Sequence, residues 1–412
     1  MYEFHPYFTA DGSVGLYNND FDDIYHSATG ALTEAYEKFI HPVDFGMLLQ
    51  KDKINVLDIC YGIGYNTKSF LNFILKNNCK KLSFTNDIES IYSDNISKDK
   101  NNIYNDEIYS DSIFSKIYIK AIDNDKILSY LSPFIKTGVK NFVNQKINFD
   151  FSKVDKYLKT KNECSKIDEL INYLIFEKIA ENCPDFLSNE DLNAILSSKD
   201  YAPYFDLKFK GLFQFYQNCK DKYVYKAANR LNLHNIYYKY LSKHYKNRLK
   251  RYKLQDIIFE IKNEDARKVV LEDNHLYNLI FLDAFTPSKC PCLWSVEFFS
   301  ELFKRLEQDG MLLTYSVSPS IRSAMVEAGF VIGNIYNNRL NKSTGTVAVK
   351  KKELIKFPIS DFDFGLLKTR SGIPYRDKNL CSTNESIVEA RNSEFEKSNL
   401  ISSSQYRKSK LL

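Results

Sequence analysis

Residues 56–66 read Val-Leu-Asp-Ile-Cys-Tyr-Gly-Ile-Gly-Tyr-Asn, an apolar run that ends in a glycine turn and passes into a helix-forming stretch. An apolar strand feeding such a turn and helix predicts a nucleotide-like ligand held at the helix N-terminus. Gly62 and Gly64 lack a Cβ, so the backbone can take otherwise strained angles and come close to that ligand. Asp58, four residues before Gly62, adds a carboxylate beside the turn, and Asn66 opens the helix. A dinucleotide site would show G-x-G-x-x-G, but the residue three after Gly64 is Thr67. The pattern therefore fits S-adenosylmethionine better than NAD.

Further along, residues 277–287 read Tyr-Asn-Leu-Ile-Phe-Leu-Asp-Ala-Phe-Thr-Pro. The run predicts a buried parallel strand that ends in Asp283 and a proline-terminated loop. Ligands of open α/β sheets bind at the carboxyl ends of the strands, so Asp283 is expected to share a crevice with the glycine turn. A strand at 81–84 running toward Asp87 and Glu89 would supply the acid that accepts hydrogen bonds from ribose hydroxyls. Glu89 is the preferred residue and Asp87 its competitor.

The rest of the chain follows an α/β order. Residues 8–21 predict a hairpin, and Leu32, Ala35, Tyr36 and Phe39 predict a helix over 27–40 with Thr29 as its cap and Glu34 on its polar side. After a helix at 67–76, residues 91–254 read as a mostly helical insertion, with Leu170, Ile171, Leu174, Ile175 and Ile179 at helical spacing. The core resumes with a strand at 257–262, a helix at 295–306, a strand at 311–315, a helix at 320–328 and strands near 330–335 and 344–349. The expected fold is a Rossmann-like class I methyltransferase. It comprises an N-terminal segment at 1–50 packing on the catalytic domain, a core at 51–90 and 255–350, the insertion, and a C-terminal tail at 351–412.

With 412 residues, of which 44% are hydrophobic and 15% aromatic, the chain can build a large core. Eight irregularly spaced cysteines, no secretory signal pattern and no apolar run of about 18 residues predict a cytoplasmic protein with reduced thiols and no membrane association. Cys290 and Cys292 lack a second Cys or His pair at zinc spacing, so no metal is expected. Cys60 reads as a small buried hydrophobe.

Four blocks together resemble the MnmC-type tRNA methyltransferases: Asp11-Gly12-Ser13 with Tyr25-His26-Ser27 and Gly30-Ala31-x-x-Glu34; Leu57 to Asn66; Glu264-Asp265-Ala266-Arg267; and Phe281 to Trp294 followed by Phe298-Phe299. Ser371-Gly-Ile-Pro-Tyr-Arg-Asp377 and Ser402-Ser403-Ser404 resemble the end of the stand-alone members, which lack a flavin oxidase domain. The likeness covers about 1–90 and 255–412 and fails between them. The chain also departs from the fused members at its glycine turn, where they tend to have Gly-Phe-Gly-Thr-Gly.

That resemblance implies methylation of the amine of 5-aminomethyl-(2-thio)uridine at the wobble position of tRNA, to 5-methylaminomethyl-(2-thio)uridine. It implies S-adenosylmethionine as cofactor, with Asp58 pairing with its amino group, and Gly62, Gly64 and Asn66 near its methionine part. Asp265 and Ala266 would meet the adenine, and Asp283 would stand beside the transferred methyl group. Tyr25, His26 and Ser27 would form one wall of the uridine pocket, and Phe285, Lys289, Tyr315 and Arg322 would be further substrate contacts. Trp294, the one tryptophan of the chain, reads as a buried anchor. tRNA is the expected partner, after an earlier tRNA-modifying complex has built the aminomethyl group.

The net charge of +5 is modest, but residues 230–253 hold Arg230, Lys239, Lys243, Lys246, Arg248, Lys250, Arg251 and Lys253 with no acid. His234, His244, Tyr237, Tyr238, Tyr240, Tyr245 and Tyr252 interleave with them. Cations neutralise phosphates and tyrosine rings stack on unpaired bases; the other reading is a solvated helix face. Lys350, Lys351 and Lys352 would extend this surface. A spermidine synthase-like aminopropyltransferase, or another small-amine methyltransferase, would give the basic stretch no role, since it repels polyamines. A non-catalytic RNA-binding protein would have no need of Asp58, Gly62, Gly64, Asp265 and Asp283 together.

Overall fold

The chain opens with an antiparallel sheet, β1 (Phe4–Phe8), β2 (Val14–Asn18) and β3 (Asp23–Ile24), in that order. The computed structural model describes residues 4–18, 23–24, 30–78, 116–136, 163–220, 233–251, 254–337 and 340–411. Asp11, in the β1–β2 turn, accepts from the Ser13 N–H at 3.0 Å through Oδ1 and from the Thr33 N–H at 2.8 Å through Oδ2. The Ser13 hydroxyl accepts from the Ala31 N–H at 3.0 Å. The hairpin turn thus caps the helix Ala31–Ala35, satisfying N–H groups that have no partner within a first helical turn. Gly30, at φ +144°, leads into that helix, and a Cβ there would collide with the Asp11 side chain. The expected cap, Thr29, lies outside the described residues.

The main sheet has seven strands: β4 (Lys53–Ile59), β5 (Lys116–Ile122), β6 (Ile258–Lys262), β7 (Tyr277–Leu282), β8 (Leu306–Thr314), β9 (Val331–Asn337) and β10 (Lys342–Val349). Their order is β6-β5-β4-β7-β8-β10-β9. The first five are parallel, and β10 runs antiparallel to both β8 and β9. Strands buried on both faces alternate between two cores. Ile54 and Val56 of β4, Ile119 of β5 and Phe281 of β7 pack with the N-terminal segment and the helices of 163–251. Leu57, Ile59, Ile122 and Leu282 face the helices Ala266–Glu272, Val296–Arg305 and Pro319–Glu327.

β5 corrects the reading of 91–254 as an insertion, because Lys116–Ile122 pairs residue for residue with Lys53–Ile59 inside the main sheet. Helices make up the described elements from 163 to 251, chiefly Glu163–Asn182, Glu190–Ser197, Leu207–Lys220 and Leu233–Arg251. They close on an aromatic core in which Phe134 meets Phe176 and Phe213 edge-on at 6.2 and 5.6 Å between centroids. Ile359, Leu367, Tyr375, Leu380 and Ile387 carry the C-terminal segment back over the sheet's second face. The Val296 N–H donates to the Tyr375 carbonyl at 3.1 Å, and Arg267 Nη1 to the buried Asp377 Oδ2 at 2.7 Å.

The chain leaves β4 for β5 and β6 on one side and returns to β7 on the other, so the strand order reverses beside β4. Ligand sites of open α/β sheets lie at such a reversal, outside the carboxyl ends of the strands.

Candidate functional site

Four strand ends converge there. The Tyr61 N–H donates to the Ile122 carbonyl at 3.0 Å, the Asp283 N–H to Ile59 at 3.2 Å and the Asp123 N–H to Lys262 at 3.0 Å. The residues that follow β4, β5, β6 and β7 are therefore laced side by side.

The turn after β4 has the expected character. Gly62 and Gly64 stand at φ +54° and +83°, where side chains are strained. A Cβ on Gly62 would meet nothing nearer than the Cys60 carbonyl at 4.0 Å, so the space above it is open to a ligand. Gly64 is needed for packing instead, since a Cβ there would lie 2.4 Å from the Tyr61 hydroxyl. Cys60 adopts φ +62° without being glycine, at a backbone cost of about 1–2 kcal/mol.

Three carboxylates surround the turn. Asp58 is wholly buried; its Oδ2 accepts from the Thr67 hydroxyl at 2.6 Å, and its Oδ1 has no hydrogen-bond partner among the described residues. Burial pushes its pKa up to about 7. Asp123, at the end of β5, accepts from the Gly62 N–H at 2.7 Å and the Asp125 N–H at 2.8 Å, and burial lifts it to about 6. Asp283, after β7, accepts from Asn66 Nδ2 at 3.0 Å. Burial, and then the nearby Glu34 carboxylate, raise it to about 7 against the opposing pull of Asn66 and Lys38.

Asp58, Gly62, Gly64, Asn66 and Asp283 are thus brought together as expected. Asp265 and Ala266 follow β6 at the head of the helix Ala266–Glu272, but Asp265 is exposed and already bound by Arg267, whose Nη2 lies 2.6 Å from its Oδ2. Glu89, Asp87, Tyr25, His26 and Ser27 lie outside the described residues. The acid at the end of β5, the strand beside β4, is Asp123, a residue the sequence reading did not single out. The missed signal was an apolar run, Ile117 to Ile122, ending in Asp-Asn-Asp, with Asp125 capping a helix through its bond to the Ile127 N–H at 3.1 Å.

The loop after Asp283 is braced from two sides. The Tyr315 hydroxyl donates to the Ala284 carbonyl and Trp294 Nε1 to the Phe285 carbonyl, both at 2.9 Å. Phe285 and Lys289 are half-buried on this loop, and Trp294 is the buried anchor beneath it. Arg322 is not a substrate contact. It is buried, and donates to Thr346 Oγ1, Asn334 Oδ1, Ser343 Oγ and the Gly345 carbonyl at 2.9, 2.8, 3.1 and 3.2 Å, clamping β9 to β10. Lys350 is likewise engaged, donating to the Leu306 carbonyl at 2.6 Å.

Residues 229–351 match the model of a family described as S-adenosyl-L-methionine-dependent methyltransferase. The fold is that of a Rossmann-like methyltransferase. S-adenosylmethionine is the cofactor this methyltransferase family implies, and the residues fit it: a buried Asp58 oxygen lacks a partner among the described residues, and the space over Gly62 is open.

Over 163 residues the chain is 32% identical to an uncharacterised protein of Methanocaldococcus jannaschii. That match takes in 37% of this chain and 45% of that protein, so the aligned part spans under half of the relative's length. The crystal structure of MnmC2 from Aquifex aeolicus superposes over 97% of this chain and 87% of its own, with a TM-score of 0.52 and 18% identity. The likeness to the MnmC-type methyltransferases holds at the level of fold. Among the described residues no helix is long and apolar enough to cross a membrane.

Proposed function

We propose that this chain transfers a methyl group from S-adenosylmethionine to a primary amine, that of 5-aminomethyl-(2-thio)uridine at the wobble position of tRNA. The observation that carries the reading is Asp283, a half-buried acid at the strand reversal, aimed by Asn66 and with a pKa raised to about 7. An alkyl amine resembles the lysine side chain, with a pKa of about 10.4, and arrives protonated at neutral pH. Its nitrogen has a lone pair to offer only after losing a proton. A carboxylate whose pKa is raised toward neutrality binds that proton more firmly than an ordinary aspartate does.

When bound, S-adenosylmethionine supplies a methyl carbon on a sulfonium. Asp58, Gly62 and Asp123 would hold it, Asp58 facing its amino group and Asp123 its ribose hydroxyls. Asp283 would orient the amine and take its proton, while Asn66 keeps the carboxylate in one rotamer. The larger contribution would be alignment of nitrogen with methyl carbon. No covalent enzyme intermediate is required.

The tRNA part of the reading draws support from the helix Leu233–Arg251. Lys239, Tyr240, Lys243, His244, Lys246 and Lys250 are exposed along it, a surface suited to phosphates and unstacked bases. Tyr237 and Tyr240 are 49% and 72% exposed, whereas Tyr238 and Tyr245 belong to the core, and Lys246 pairs with Glu177 at 2.9 Å. Fewer rings are therefore free for stacking than the sequence suggests. Arg230, Tyr252 and Lys253 lie outside the described residues.

The test is transfer of labelled methyl from S-adenosylmethionine into tRNA carrying 5-aminomethyluridine, by wild type and Asp283→Ala, with unmodified tRNA as control. Label in the modified tRNA alone, lost in the variant, is the expected result. No label in tRNA, despite cofactor binding, sinks the assignment, and transfer to free polyamines instead would point to a small-amine enzyme.

A further inference from the structure

The N-terminal segment carries a charged pair that the reaction above leaves without a role. After the capped helix Ala31–Ala35 the chain passes directly into a π-helical turn, Tyr36–Ile40. Such turns re-aim the side chains around them and are frequent at functional sites. Phe39 fixes the turn against the sheet, edge-on to Phe281 at 5.7 Å, two residues before Asp283.

Glu34 does not lie on a solvated face, as its helical position suggested. Its side chain is only 12% exposed and forms an ion pair with Lys38. Lys38 Nζ lies over the Tyr315 ring, 5.4 Å from its centroid, and the Tyr315 hydroxyl bonds to the carbonyl of Ala284, the residue after Asp283. This series of contacts brings one carboxylate and one ammonium to the edge of the Asp283 site. Among the described residues, the groups facing Asp283 are Glu34 and Lys38 from the N-terminal segment, Asn66 from the glycine-turn helix, and Asp58 and Cys60 from β4 and its turn.

We propose that Glu34 is a second carboxylate of the amine site: the substrate ammonium binds between Glu34 and Asp283, displacing the Lys38 ammonium that otherwise occupies Glu34. This rests on the amine reading given above. Two acids around one ammonium favour a cation over a neutral hydroxyl or ring nitrogen, so the pair selects the class of nucleophile. Deprotonation then breaks one N–H bond of the ammonium and forms one O–H bond on Asp283, leaving the nitrogen lone pair free. The resident lysine keeps the buried carboxylate compensated before substrate arrives.

The experiment compares full-length wild type, Glu34→Gln, Glu34→Asp and Lys38→Met in methyl transfer to tRNA bearing 5-aminomethyluridine, from about pH 6 to 9, with melting temperature and cofactor affinity recorded for each. Glu34→Gln is expected to raise KM for the modified tRNA about tenfold or more and to move the acid limb of kcat/KM to lower pH, with cofactor affinity unchanged. Glu34→Asp restores part of the loss. Lys38→Met lowers KM by removing the competitor. Unchanged KM and pH profile in Glu34→Gln overturn the proposal, as do parallel losses in the Glu34 and Lys38 variants that track a fall in melting temperature. Should the wild type leave the modified tRNA unmethylated, the tRNA reading falls, and the two-carboxylate site is tested alone by calorimetry with ethylammonium. Binding to wild type but not to Glu34→Gln supports it, and equal binding or none overturns it.

Discussion

The backbone N–H of Gly62 donates to Asp123 Oδ2 at 2.7 Å, tying the glycine turn after β4 to the acid that ends β5. The two residues are 61 apart in the chain, and parallel pairing of Lys53–Ile59 with Lys116–Ile122 makes them neighbours. The bond holds Asp123 against the glycine turn, so turn and acid form one unit.

Replacing Asp123 therefore tests the cofactor side of the site. Asp123→Ala is expected to weaken S-adenosylmethionine binding by about 10- to 100-fold, the range for losing a hydrogen bond to a charged group, whereas Glu89→Ala leaves it unchanged. Isothermal titration calorimetry on both variants decides between the two acids.

Cofactor binding should release protons. Asp58, Asp123 and Asp283 have folded pKa values raised to about 7, 6 and 7. With folded values above the unfolded one of about 3.9, the folded state binds more protons between about pH 4 and 7, so these groups' contribution to apo stability is lost as pH rises through that window. A cationic ligand favours the ionised acids and drives the retained protons off. Calorimetry near pH 6.5 in buffers of different ionisation enthalpy should show net release, and affinity should fall as pH drops below about 6. Affinity independent of pH, with no buffer dependence, would contradict the raised values.

Arg322→Met should cost stability and spare binding. It leaves Thr346, Asn334, Ser343 and the Gly345 carbonyl without their buried donor, at a cost of about 2–4 kcal/mol. Urea denaturation measures this loss. KM for RNA, taken at a temperature where the variant is folded, should match wild type, and a rise in KM would return Arg322 to the substrate site.

Reversing charge on the exposed helix should change RNA affinity alone. For Lys239→Glu with Lys243→Glu, RNA binding is expected to weaken and the slope of log K against log salt to flatten by about one for each phosphate that is no longer neutralised. Cofactor affinity should not move. Filter binding at several salt concentrations reads both the affinity and the slope.

Much of the sheet was legible because buried parallel strands leave apolar runs that end at functional residues. Val56 to Asn66 and Tyr277 to Pro287 carried that pattern clearly, and Asp58, Gly62, Gly64, Asn66 and Asp283 meet at one strand reversal. β5 was overlooked because its apolar run lies far from β4 in sequence, within a polar stretch rich in Asn, Lys and Asp. Asp123 closes that run and was not legible for the same reason.

Composition and local pattern account for the strands, the glycine turn and the chemistry of the acids, since these depend on residues a few positions apart. Which acids face one another depends on register and packing across the whole chain. Pairing of β4 with β5 brings Asp123 to Gly62, and the hairpin cap and π-helical turn carry Glu34 and Lys38 inward toward Asp283. The enclosure of Arg322 between β9 and β10 makes an expected substrate contact a clamp. Local spacing encodes a residue's backbone role, whereas burial, partners and proton affinity arise only when distant segments close around it.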